Sequence, residues 1–127
     1  MLLSAGIEIL KDGGKMRRRL PNRRNCQSFS FWHGSLEYQA SIGYYDRYQT
    51  EIGEIFLSCG KTGSDANLNM REASIAASLF LQYGGSISEL RSAMPRRVSG
   101  DPEGPLGTLL DLLLSTEKKD AEEELLT

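Results

Sequence analysis

The stretch Gly53–Tyr83 constrains the fold more than any other part of the chain. It begins with the alternation typical of a strand, with Ile55, Leu57 and Cys59 on one face. A loop of Gly, Lys, Thr, Ser and Asp follows, and then a helical pattern. A polar, glycine-containing loop between a strand and a helix is a common position for phosphate binding. The stretch therefore predicts a strand–loop–helix unit with a candidate anion site.

Two further strand patterns precede this unit. Residues 27–33 alternate between aromatic and polar side chains, and residues 36–42 alternate between apolar and polar ones. Gly34 and Ser35 lie between the two patterns and predict a two-residue hairpin turn. With a third strand at 51–59, three sequential strands with short connections favour an antiparallel meander.

The first predicted helix follows the polar loop. Ser64 or Asp65 can cap its N-terminus, and Gly84 and Gly85 end it. Apolar residues at helical spacing, interrupted by Glu72, predict its buried face: Leu68, Ile75, Ala76, Leu79, Phe80 and Tyr83.

Two shorter helical patterns complete the expected fold. A capping box at 86–89 opens a second helix, which Pro95 ends. Pro105 fits the first position of a third, leucine-rich helix. The expected fold class is α+β, with a three-stranded antiparallel meander followed by two or three helices packed on one face.

Length and charge distribution divide the chain into three regions. The 127 residues suffice for one domain. Residues 1–25 carry seven Lys and Arg against two acids, whereas residues 116–127 carry five acids against two Lys. We expect a flexible basic arm at 1–19, an α+β domain at 20–115 and a charged, frayed tail at 116–127. The patterned sequence begins near Met16, so a natural start at Met16 and one at Met1 both stay open.

Several classes of function and location find no support in the sequence. Cys26, Cys59 and the lone His33 cannot supply four zinc ligands, so we expect no metal and no cofactor. No acid, base and nucleophile stand at a spacing that suggests catalysis, so we expect a non-enzyme. No apolar run approaches the ~18–20 residues of a membrane span. The first residues lack the features of a secretory signal, and two reduced cysteines are typical of a cytoplasmic protein.

The loop before the first helix supplies one group of candidate ligand-binding residues. They are Lys61, Thr62, Ser64 and Asp65. The loop is not a P-loop, because that motif requires glycine where Ile55 stands. Backbone N–H groups at a helix N-terminus can bind an anion, but Asp65 can also occupy that position with its own carboxylate. Ligand contact and a purely structural cap both remain open.

Arginines supply the second group of candidates. Arg23 and Arg24 belong to the basic segment Arg17–Arg24, and guanidinium groups match phosphate oxygens. A solvated basic arm is an equally consistent interpretation, and nucleic-acid binding through this segment stays open. Arg97 lies in a Gly/Pro-containing loop, where it can neutralise a helix end or close over a ligand. Trp32 and Tyr45 are typical of packing or of a subunit contact, and as an alternative one of them could stack on a base.

Four segments together resemble the TSCPD domain family. They are Leu20–Phe31, Gly53–Asp65, Ala77–Met94 and Ser99–Leu113. The family's domain is similar to the C-terminal module of adenosylcobalamin-dependent ribonucleotide reductases, and stand-alone copies exist. The string T-S-C-P-D is itself absent from this chain. Within the family-like segments stand Arg23, Arg24, Lys61, Ser64 and Asp65, with Gly104 and Pro105 opening the last helix.

The resemblance implies a link to nucleotides without catalysis, because the module is not the active site of the reductase. We expect a small homo-oligomer that binds a nucleotide-like phosphorylated ligand, with Arg23, Arg24 and Arg97 on the phosphates. Such a stand-alone copy could sequester a nucleotide signal, for example in a phage. The alternative hypothesis is an interaction or regulatory module that docks on ribonucleotide reductase or another enzyme of nucleotide metabolism.

Overall fold

A short antiparallel pair opens the described part of the chain. The structure is a computed structural model that describes residues 7–9, 16–59 and 64–126, with side chains for 16–59 and 64–115. Strand β1 (Ile7–Ile9) pairs with strand β2 (Met16–Arg18). The sequence patterns predicted no strand here, because a segment of three residues is too short to show a period.

The predicted α+β fold is confirmed, with a three-stranded antiparallel meander that precedes three helices. Strand β3 (Asn25–His33) pairs with β4 (Leu36–Tyr44), which pairs with β5 (Ile52–Cys59). The predicted turn between β3 and β4 is present, and Gly34 has a φ of 60°. A positive φ at the first central residue is typical of a type II′ hairpin, which glycine adopts without strain.

Alternate residues of the meander form the core of the first of two compact units, which comprises residues 1–86. Ile42 and Leu57 are fully buried, and Ile55 is nearly so. The same face carries Phe31, Tyr38, Ala40 and Tyr44. The opposite face is mainly polar, with Phe56 and Trp32 as its large apolar side chains. On this face Ser28 Oγ lies 3.4 Å from Ser41 Oγ, and Ser30 Oγ donates to Gln39 Oε1 at 3.1 Å. The period-two pattern thus places one apolar and one polar face on the sheet.

Helix α1 (Asp65–Gln82) covers the free edge of β5. Polar side chains of the helix bond to backbone groups of the strand that point away from β4. The contacts join Gln82 Nε2 to Gly53 O (2.9 Å), Ile55 N to Ser78 Oγ (2.9 Å), Leu57 N to Ser74 Oγ (2.8 Å) and Cys59 N to Asn67 Oδ1 (3.3 Å). From Ser74 through Ser78 to Gln82, each step of four helical residues rises ~6 Å and each step of two strand residues rises ~6.7 Å, so the two spacings match over this part of the contact.

The predicted buried face of α1 is wrong. Its buried residues are Ser74, Ala77, Leu81 and Gln82. Members of the predicted face are instead exposed, with Leu68 at 51% and Ile75 at 61%. The physical reason is that this helix meets the hydrogen-bonding edge of a strand. Serine, asparagine and glutamine satisfy that edge, whereas leucine and isoleucine cannot.

The second unit comprises residues 87–127 and contains two helices. Helix α2 (Ile87–Ala93) and helix α3 (Pro105–Leu126) are joined by a loop in which Arg96 and Pro102 form an isolated antiparallel bridge. Helical backbone continues to Leu126, through the segment that the sequence predicted to be frayed. None of the described helices is long and apolar enough to cross a bilayer.

Asp111 on α3 forms ion pairs with α2 and with the loop between α2 and α3. Arg91 Nε of α2 lies 2.6 Å from Asp111 Oδ1, and Arg96 Nη2 of the loop lies 2.7 Å from the same oxygen. The hydrogen bond from Arg96, followed by that from Arg91, lowers the pKa of Asp111 from 3.8 to about 2. Arg96 thus forms an ion pair with Asp111 within the second unit.

Acidification is expected to remove the stabilisation that Asp111 provides. Its pKa is lower in the folded chain than in the unfolded one, so the contribution is present above pH 4 and is lost as the pH falls from about 4 to about 2. Since 30% of the side chain is exposed, we expect only about 1 kcal/mol. Urea unfolding of wild type and Asp111→Asn across this range measures it.

The Asp111→Asn variant should show a shallower loss of stability with acid than wild type. Glu72→Gln, on an exposed position of α1 in the first unit, is the control, because it removes a carboxylate without changing Asp111 or its two arginines. Identical pH profiles for wild type and Asp111→Asn would contradict the assignment.

Candidate anion-binding site

The N-terminus of α1 contains two of the predicted ligand residues. Ser64 caps the helix, and its Oγ accepts from Asn67 N at 3.1 Å. Asp65 places a carboxylate in the first turn, where it complements the helix dipole. The geometry therefore supports the interpretation of Ser64 and Asp65 as residues that stabilise the N-terminus of the helix. Lys61 and Thr62 lie outside the described residues.

The predicted arginines lie away from that helix end. Arg24 Nη1 contacts Glu54 Oε2 at 3.0 Å, whereas Ser64 Oγ lies 4.0 Å from Cys59 Sγ. Glu54 and Cys59 are five residues apart on β5, which corresponds to ~17 Å. Arg23 is exposed beside Arg24. The sequence placed these groups on one ligand, and the structure separates them along the strand.

Arg97 belongs to the second unit. It is exposed on the turn between α2 and α3, and its backbone N–H donates to Asp101 O at 2.8 Å. Gly100 has a φ of 95° and closes this turn by donating to Arg97 O at 2.8 Å. Neighbouring Arg96, by contrast, is bound to Asp111.

A groove between β5 and α1 is lined by one arginine of the first unit, Arg17. Its volume is about 190 Å³. Phe56, Ile75 and Leu79 provide apolar walls, and Arg17 and Glu54 provide charged ones. Phe56 is 45% exposed, so a ring in the groove could contact it. The groove thus combines a guanidinium with apolar contact surface.

Arg17 reaches this groove from β2. Its Nε donates to Gln82 Oε1 at 2.7 Å, and Gln82 is itself buried and donates through Nε2 to Gly53 O. Both ends of the glutamine amide are therefore bonded, which orients the guanidinium through a buried side chain. Among residues 16–59 and 64–115, none accepts a hydrogen bond from the terminal nitrogens of Arg17.

Arg18 holds the β2 strand against the loop between β4 and β5. Its guanidinium carbon lies 3.8 Å from the centroid of the Tyr45 ring, and it is paired with Glu51. The Tyr45 hydroxyl donates to the backbone carbonyl of Arg18. Burial raises the pKa of Tyr45, and the positive charge of Arg18 opposes that rise only in part, so the hydroxyl remains a donor.

Two glycines allow these contacts. A Cβ at Gly43 would lie 2.7 Å from Glu54 Oε2, on the path of the Arg24–Glu54 pair. A Cβ at Gly53 would lie 2.5 Å from the Tyr45 ring.

We define the arginine cluster as Arg17, Arg18 and Arg24. Among residues 16–59 and 64–115, its three cations meet two carboxylates, those of Glu51 and Glu54.

Gly53→Ala is expected to lower the free energy of unfolding by about 1–3 kcal/mol, because the new methyl group must displace the Tyr45 ring. Chemical denaturation measures the loss. In a Tyr45→Ala background the same substitution should cost much less, since no ring remains to be displaced. Equal costs in both backgrounds would show that the ring is not the obstacle.

Sequence analysis missed Arg17 and Gln82 as a pair. They are 65 positions apart, and no local period links them. One signal was present in α1: Asn67, Ser74, Ser78 and Gln82 share one side of a 3.6-residue helix. A polar stripe of hydrogen-bonding side chains indicates a helix that meets a strand edge, and Gln82 marks its end.

Comparison with known proteins identifies no relative: no family model matches the chain, and neither the curated proteins nor the solved structures contain a match. Within the described residues, no group of three or more His, Cys, Asp or Glu side chains is placed to hold a metal ion.

Proposed function

We propose that this protein binds a nucleotide-like phosphorylated ligand in the β5–α1 groove, with the phosphate on Arg17 and Arg24. The observation that carries the proposal is the position of Arg17 at a groove with apolar walls, oriented by the buried Gln82. Guanidinium groups bind phosphate through paired N–H donors, and apolar walls suit a base or a sugar.

The size of the groove restricts the part of the ligand that it holds. Its volume of about 190 Å³ is smaller than the ~300–1,000 Å³ of a pocket that encloses a drug-sized molecule. The groove therefore takes one ring or one sugar phosphate, and the remainder of a larger ligand lies outside it. Phe56 is the aromatic contact for the enclosed ring, in place of the Trp32 or Tyr45 suggested by the sequence.

The role that we propose is binding rather than catalysis. Its support is the resemblance to the TSCPD domain family, whose module lies outside the active site of the reductase. A stand-alone, cytoplasmic copy that binds a nucleotide would lower the free concentration of that nucleotide. Sequestration of a nucleotide signal, such as a phage could use, is the form of this function that fits a small binding protein.

Isothermal titration with mono-, di- and cyclic nucleotides tests the proposal. We expect at least one of them to bind with a dissociation constant below ~1 mM, and we expect the affinity to fall as salt is raised. A nucleoside without phosphate should bind much more weakly. Heats of zero for the whole panel at ~1 mM would overturn the proposal.

A second candidate function is docking on ribonucleotide reductase or another enzyme of nucleotide metabolism. The observation that favours it is the exposed apolar side of α1, where Leu68 and Ile75 are more than half exposed and Phe80 and Tyr83 about two-fifths. Affinity purification from the native host tests it. We expect an enzyme of nucleotide metabolism in the eluate, and its absence would remove the support for docking.

A further inference from the structure

The two edges of the meander differ in how they are protected. The β5 edge is covered by side chains of α1. The β3 edge has no strand beside it within the described residues, and no described backbone group bonds to it. Natural proteins usually protect an open edge with lysine, proline, a bulge or a covering element. Between Asn25 and His33 this strand contains no proline and no Lys, Arg, Asp or Glu.

The geometry points to a homodimer in which β3 pairs antiparallel with β3 of a second copy, which joins two meanders into one six-stranded sheet. The occupant is a second copy because the edge is self-complementary, as the register below shows. The inference concerns assembly only and does not depend on the proposed ligand.

The hairpin determines which backbone groups face outward. His33 and Leu36 flank the two-residue turn, so they form a hydrogen-bonded pair, and odd-numbered residues of β3 bond to β4. The even-numbered residues therefore direct their N–H and C=O groups away from the sheet. They are Cys26, Ser28, Ser30 and Trp32, all of them exposed.

One register pairs the whole strand with itself. If Phe29 lies on the two-fold axis opposite Phe29 of the second copy, Ser28 pairs with Ser30 and Cys26 pairs with Trp32 across the interface. Even-numbered residues then face even-numbered ones, so their outward backbone groups form hydrogen-bonded pairs along all nine residues.

The side chains match in the same register. On the core face, Phe29 meets Phe29 and Gln27 meets Phe31, so the half-buried Phe29 gains an aromatic neighbour. On the polar face, serine meets serine. Trp32, which is 62% exposed, is covered in part by the second copy. No like charges oppose one another, because the strand carries none of the four charged residue types.

Light scattering on the full chain tests the interface with a proline variant. Ser30→Pro removes an outward N–H and places the proline ring on the edge, where a single sheet tolerates it. We expect wild type to have at least twice the chain mass of 14.1 kDa. Ser30→Pro should raise the dissociation constant of the dimer ~100-fold or more. Ser30→Ala, which loses the same hydroxyl but keeps the N–H, should behave as wild type.

Two results would overturn the inference: a wild-type monomer at ~100 μM, or a Ser30→Pro variant with the wild-type mass. Circular dichroism shows whether the proline variant folds. If it does not fold, cysteine cross-linking tests the β3–β3 interface instead, in a variant in which Cys26 and Cys59 are replaced by serine.

Cross-linking also tests the register. Phe29→Cys should form an intermolecular disulfide under mild oxidation, since residues on the axis have Cα atoms ~4.5 Å apart. Gln27→Cys is the matched control. Its two copies would lie ~13 Å apart along the strands, too far for a bond. Failure of Phe29→Cys to cross-link, or equal cross-linking at both positions, would contradict the register.

Discussion

Replacing Ser74 and Ser78 together with alanine is expected to lower the free energy of unfolding by about 2–4 kcal/mol. The two hydroxyls accept from Leu57 N and Ile55 N, and Ser78 also donates to Ile55 O at 3.0 Å. Without them, buried backbone groups at the edge of β5 lose their partners, at about 1–3 kcal/mol each. The higher helix propensity of alanine offsets part of this, by about 0.5 kcal/mol per site.

Urea unfolding followed by fluorescence measures this loss in the relevant unit. Trp32 is the one tryptophan of the chain and lies on β3, so its emission reports the first unit. Asn69→Ala, on an exposed position of α1, is the control and should leave the stability unchanged or slightly raise it. A double variant as stable as wild type would show that α1 does not satisfy the β5 edge.

Arg17→Ala is expected to weaken nucleotide binding ~10–100-fold, because a hydrogen bond to a charged phosphate contributes about 1.5–3 kcal/mol. Arg17→Lys retains the charge but loses the planar set of donors that Gln82 orients. Its affinity for the nucleotide should therefore lie between those of wild type and Arg17→Ala. Titration of each variant with the nucleotide that binds wild type measures the change.

Arg71→Ala is the matched control for this prediction. Arg71 is an exposed arginine of α1 that does not line the groove, so its loss changes the net charge equally. Its affinity should stay within a factor of ~2 of wild type. Equal losses for Arg17→Ala and Arg71→Ala would mean that binding reflects overall charge rather than the groove.

The three strands of the meander and the fold class could be predicted from the sequence because alternation is a local signal. Ile55 and Leu57 face the core as their pattern indicates. The orientation of α1 could not be predicted in this way. Amphipathic analysis assumes that a helix buries its apolar side, whereas α1 turns Ser74 and Ser78 to a strand edge that no local pattern reveals.

The candidate site was predicted only in part, because its residues are distant in sequence. The sequence grouped arginines near the start of the chain with Ser64, but Ser64 and Arg24 do not converge. Their contacts on β5, Glu54 and Cys59, lie ~17 Å apart along the strand, and the positions of Arg24 and Ser64 in the sequence do not reveal this separation. The contact of Arg17 with Gln82 exists only because β2 meets the far end of α1.

Native mass spectrometry of the full chain, incubated with a panel of nucleotides and sprayed under gentle conditions, tests the central claim most directly. The account predicts a complex whose added mass equals one phosphorylated nucleotide per chain, and predicts that Arg17→Ala loses this complex while Arg71→Ala keeps it. Spectra that show only the bare protein with every nucleotide at ~1 mM would contradict ligand binding in the groove.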